Sequence, residues 1–119
     1  MIGAMLVALV ALIHLAILMM EMVLWETPQV RRIFGISPEF AANTRVLAAN
    51  QGLYNGFLAV GLILALFRGI PGAGEELAHF ILACVIVAGL YGAATAARRI
   101  LYVQALPATL ALAAVLTGF

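Results

Sequence analysis

Apolar residues fill the chain in four long runs, and polar residues gather between the runs or near their ends. The runs cover about residues 2–25, 47–67, 77–97 and 100–119. Each approaches the roughly 20 helical residues needed to cross the hydrocarbon core of a bilayer. Helices satisfy their own backbone hydrogen bonds, so runs of this length and character are read as helices in lipid. The pattern predicts an all-α fold: an integral membrane four-helix bundle, with residues 1–119 forming one four-span transmembrane domain. The first run is expected to be retained rather than cleaved as a signal peptide. No basic residue precedes it, and Glu21 and Trp25 stand where a small-residue cleavage site would fall.

The connections set an orientation. The first, Glu26 to Val46, is the longest and contains Gly35-Ile36-Ser37-Pro38-Glu39. Ser37 suits a helix N-cap, Pro38 the first helical position and Glu39 the positive helix end. A helix is therefore expected from Pro38, either running straight into the second span or bending at the membrane surface. The second connection, Arg68 to Gly74, reads as a glycine- and proline-rich turn, and the third is little more than Arg98-Arg99. Arg31, Arg32 and Arg45 flank the first connection, Arg98 and Arg99 the third, and only Arg68 the second. An arginine excess marks the cytoplasmic side, which places both termini outside. A bacterial inner membrane is the expected location, and Trp25 fits the interfacial role that tryptophan prefers.

Composition agrees with the pattern. Of 119 residues, 66% are hydrophobic and 9% charged, against roughly 25% charged in an ordinary soluble domain. A soluble fold of this size leaves too much of its surface exposed to hide so much apolar area. A net charge of +1 with no basic stripe argues against a nucleic-acid surface. Cys84 is the only cysteine, so no intrachain disulfide can form.

Depth makes the polar residues informative. Span one carries His14 near its middle and Glu21 near its cytoplasmic end. Span two opens with Asn50, Gln51, Tyr54 and Asn55, span three closes with Tyr91, Thr95 and Arg98, and span four opens with Tyr102 and Gln104. Four helices thus bring polar groups to a common level, with Gly52 and Gly56 on the other side of span two from its polar rows, spaced for close helix approach. At ~100° per residue, His14 and Glu21 fall within about 40° of each other. An ionisable group at mid-bilayer costs about 2.5–3.5 kcal/mol, so Glu21 is expected inside protein or beside water. Its protonation depends on the balance between desolvation and any nearby arginine, which the sequence leaves open. His14 aligns with Glu21 for a proton relay, although a lone histidine on an apolar helix more often serves as a hydrogen-bonded core residue. His79 follows Glu75 by one turn and reads as a surface pair. No spacing resembles a metal site, a phosphate loop or a nucleophile–base pair.

Two resemblances add to this reading. The runs Glu21-x-x-x-Trp25, Phe34-Gly35-x-Ser37-Pro38-Glu39 and Ala49-Asn50-Gln51-Gly52-Leu53-Tyr54-Asn55-Gly56-Phe57 resemble an uncharacterised family of small bacterial and fungal membrane proteins, domain of unknown function thirteen-oh-four. That resemblance spans nearly the whole chain and implies four membrane helices without an activity. Pro38-Glu39 with Arg45, and Tyr102-x-x-Ala105-Leu106-Pro107, are similar to the membrane-associated eicosanoid and glutathione metabolism family. Its members are four-helix homotrimers that bind glutathione between subunits, and Arg45 would match a glutathione-contacting arginine. Ala49 and Gly52 depart from it, standing where that family has Asn and Glu.

The expected function is a cytoplasm-facing intramembrane site for a small lipophilic or anionic molecule in a homo-oligomer, a trimer if the second resemblance holds. Glu21, Tyr54 and Tyr91 are the candidate catalytic residues of a glutathione-transferase-like membrane enzyme or a degenerate relative. Arg45, Asn50, Gln51, Asn55, Arg98, Arg99 and Tyr102 are the candidate cofactor-binding residues, with glutathione the cofactor that the resemblance implies. The competing readings are a proton-coupled small-molecule transporter using Glu21, and a structural membrane subunit.

Overall fold

A computed structural model describes residues 1–119. The chain is all-helical: α1 (Ile2–Met22), α2 (Pro28–Phe34), α3 (Pro38–Asn43), α4 (Arg45–Arg68), α5 (Glu75–Thr95) and α6 (Leu106–Leu116). The 24 residues of α4 and the 21 each of α1 and α5 correspond to about 36 and 31 Å of helix. These three are long and apolar enough to cross a membrane. The fourth predicted span is a shorter apolar helix, Leu101–Leu116. Its first turn, Leu101–Ala105, is π-helical, and the Leu106 N–H reaches back to the Leu101 carbonyl. Pro107 explains the widening, because it has no N–H to give the Val103 carbonyl and its ring crowds that turn.

The first connection folds as two capped turns of helix. The Thr27 side chain accepts from the Val30 N–H, Pro28 takes the first helical position, and α2 ends at Gly35 in the left-handed conformation, φ 67°. Ser37 accepts from the Phe40 N–H at 3.1 Å and opens α3. The expected helix from Pro38 is present but stops at Asn43. Thr44 leaves helical geometry before α4 begins, so α3 and α4 are separate helices. The first span also ends earlier than expected, with Trp25 in the turn beyond α1.

Two compact units make up the chain, Met1–Ile13 with Leu58–Phe119, and His14–Phe57. The first has a core of Val7, Val10 and Ala11 from α1, Leu62 and Ala65 from α4, Ala78, Leu82 and Val85 from α5, and Ala108, Ala111 and Val115 from α6. Small residues dominate where helices meet. A Cβ on Gly89 would lie 2.8 Å from the Ala105 backbone nitrogen, so α5 and the start of the last helical segment are in backbone contact. Close approach of this kind suits lipid, where helix association relies on contact between backbones rather than on expulsion of water. At the other end, Gly3 lies against Val115, and the Ile2 N–H donates to the Phe119 carbonyl at 2.8 Å. The first turn of α1 and the last of α6 are therefore neighbours.

Candidate functional site

The second unit holds the polar centre. Glu21 lies half-buried in the last turn of α1, and Asn55 faces it from α4 with 6% of its surface exposed. The Asn55 Nδ2 donates to Glu21 Oε1 at 2.8 Å and to the Gln51 carbonyl at 3.1 Å. The approach of α1 and α4 depends on glycine. A Cβ on Gly52 would fall 2.6 Å from the Met22 Cγ and 3.1 Å from the Glu21 Cβ, and one on Gly56 would fall 2.6 Å from the Leu18 Cδ1. Ala48, Gly52, Asn55 and Gly56 are all buried, so Asn55 belongs to the small-residue face of α4. His14 is wholly buried two turns earlier on α1, about 10 Å along the helix from Glu21.

Below this pair, Trp25 anchors the first connection. Its indole N–H donates to the Thr44 hydroxyl at 3.1 Å, and that hydroxyl donates to the Phe40 carbonyl at 2.6 Å. The Trp25 ring meets Phe34 edge-on, with centroids 5.0 Å apart. Sequence reasoning missed both Thr44 and the cap of α2. The signal was present in Thr27-Pro28, which has the same form as Ser37-Pro38.

The other candidate side chains of this unit are exposed. The four polar residues opening α4 divide: Asn55 turns inward, whereas Asn50, Gln51 and Tyr54 are exposed. Asn50 Nδ2 donates to the Val46 carbonyl of its own helix at 2.8 Å, and the Tyr54 ring lies edge-on to Phe57. Arg45 is exposed at the start of α4. In the other unit Tyr91 and Tyr102 are 71% and 60% exposed, and Arg98 and Arg99 are exposed in the connection after α5. The Thr95 hydroxyl donates to the Tyr91 carbonyl. The expected Glu75–His79 pair is absent, since Glu75 accepts from the Gly72 N–H and His79 Nε2 is buried without a partner.

The arrangement has definite chemistry. Glu21 uses one carboxyl oxygen toward Asn55 and keeps further lone pairs for an ammonium, an amine or an N–H of a ligand. It can also take up or release a proton. No group of three His, Cys, Asp or Glu side chains is placed to hold a metal ion.

Comparison with known proteins places the chain in an uncharacterised group. The profile of a family described as protein of unknown function (DUF1304) matches residues 8–116. The chain is 34% identical over 106 residues, 87% of each chain, to the uncharacterized protein YpaA of Lactococcus lactis subsp. lactis (strain IL1403). No solved structure matches. The likeness to the eicosanoid and glutathione family receives no support from these matches.

Proposed function

The chain belongs to the DUF1304 family of proteins of unknown function, and from that footing we propose that it is a four-span membrane protein with a small-molecule site centred on Glu21 and Asn55. The observation that carries this reading is the 2.8 Å bond between the two side chains. A carboxyl group placed in an apolar span is costly and is kept where it binds or transfers something. Four crossings are favoured by the contact of Gly3 with Val115, because an even number returns the chain to the side from which it started. The arginines then put both termini outside and Glu21 toward the cytoplasmic face.

The ligand best suited to Glu21 is a lipophilic molecule with a cationic or hydrogen-bond-donating group. Arg45, about 15 Å along α4 from Asn55, would hold an anionic portion or co-substrate by paired hydrogen bonds. A transferase with glutathione as that co-substrate requires this second contact. The exposed phenol of Tyr54 would join such a site where another copy of the chain covers it. Thermal unfolding of purified protein with a panel of amphipathic amines, glutathione and other thiols tests the proposal. An amine should raise the melting temperature of the wild type and fail to raise that of Glu21→Gln. Equal responses from the two proteins would refute a site at Glu21. A glutathione response lost in Arg45→Ala would select the transferase reading.

Proton-coupled transport is the second reading, favoured by His14 on the same side of α1 as Glu21. Proteoliposomes would then show cation-driven proton movement that Glu21→Gln abolishes.

A further inference from the structure

The outward face of α4 carries exposed amides, which those of α1 and α5 do not. On each of them exposed side chains recur at alternating intervals of three and four residues, as on any helix buried along one side. Along α1 every exposed residue is apolar. Along α5 the stripe is apolar from Phe80 to Leu90, and past it the exposed Tyr91 and Thr95 carry hydroxyls, that of Thr95 bonded to the Tyr91 carbonyl. Along α4 it reads Asn50, Leu53, Phe57, Val60 and Leu64, with Tyr54 exposed beside it and Gln51 exposed further round the helix. Arg45 and Arg68 bracket α4, which puts Asn50, Gln51 and Tyr54 about 7–14 Å inward from Arg45.

Acyl chains cannot satisfy these groups, and an unsatisfied polar group in hydrocarbon costs several kcal/mol. Asn50 spends one N–H on Val46 and keeps its carbonyl oxygen and second N–H facing outward. We propose that this stripe of α4 is a homo-oligomer seam, with Asn50 of one copy bonded to Asn50 of the next. A second copy is the fitting occupant because rotation about the membrane normal preserves depth. Asn50 then meets Asn50 at one level, whereas a different partner would need a polar group matched to that level. Leu53, Phe57, Val60 and Leu64 recur in a seven-residue pattern, the spacing that lets two helices interlock at a shallow left-handed crossing. One asparagine in such a seam fixes register, since any slip leaves both amides unpaired. The inference rests on the membrane-spanning reading of α4 and is independent of Glu21 as a ligand site.

Cysteine cross-linking in native membranes tests it. In a Cys84→Ala background, single cysteines replace Asn50, Phe57 and Leu64 on the stripe, and Leu12 and Val87 on the apolar faces of α1 and α5. Oxidation should give covalent dimers at Asn50, Phe57 and Leu64 and none at Leu12 or Val87. In mild detergent, Asn50→Leu should lower the oligomeric fraction about five-fold, and Glu21→Gln should leave it unchanged. Absence of cross-links on α4, equal cross-linking at the controls, or an oligomer indifferent to Asn50→Leu would overturn the seam. A Val60→Cys variant labelled by a water-soluble maleimide in intact membranes would refute the spanning helix itself. Cross-link failure with that cysteine protected would refute the seam alone.

Discussion

An amide nitrogen is a partner that a carboxyl group accepts whether or not it carries a proton, because a carbonyl-type oxygen is available in both states. Asn55 therefore holds Glu21 in place through any change of charge that binding or proton exchange brings. Replacing Asn55 by leucine removes the donor and keeps the branched shape, leaving a half-buried carboxyl group short of one hydrogen bond. Such a loss costs about 1–3 kcal/mol, and Asn55→Leu should melt measurably below the wild type by circular dichroism in detergent. Glu21→Gln should stay close to wild type, since its amide oxygen still accepts from Asn55 Nδ2. Glu21 was legible in the sequence because it is a charge within an apolar run. Its partner was less so, because a helical wheel fixes relative angles among Asn50, Gln51, Tyr54 and Asn55 without saying which angle meets the neighbouring helix. Gly52 and Gly56 hold the answer. The small-residue face of α4 is its contact face, and Asn55 shares it.

At the scale of elements, glycine and proline account for most of the departures from uniform helices. The capping of α3 followed directly from Ser37-Pro38-Glu39. The short final helix did not, although Pro107 was the visible cause: a span counted by hydropathy alone takes no notice of a missing N–H. Hydropathy also carried the first span through Trp25, whose indole is committed to Thr44 in the connection. Gly89 is the most constrained helical contact between α5 and the segment that follows it, because a Cβ there meets backbone and the Ala105 Cβ together. Overfilling such a contact costs about 1–3 kcal/mol. Gly89→Val should lower the melting temperature, whereas Ala83→Val, on the exposed side of α5, should leave it nearly unchanged.

At the scale of the whole molecule, the proposed four-span arrangement predicts where the ends of the chain lie. The first turn of α1 and the last of α6 are neighbours, and the arginine-based proposal sets both ends outside. A C-terminal alkaline phosphatase fusion should then be active, and a C-terminal green fluorescent protein fusion dark, when expressed in a bacterial inner membrane. The reverse pattern would contradict the proposed outside placement of the C-terminus. The central claim is narrower, that Glu21 and Asn55 form an energetically coupled pair between α1 and α4. A double-mutant cycle on thermodynamic stability, using Glu21→Leu, Asn55→Leu and the double variant, measures that coupling directly. The account predicts a coupling of about 1 kcal/mol or more, as expected of a shielded hydrogen bond to an ionisable group. Additivity of the two substitutions to within about 0.3 kcal/mol would contradict it.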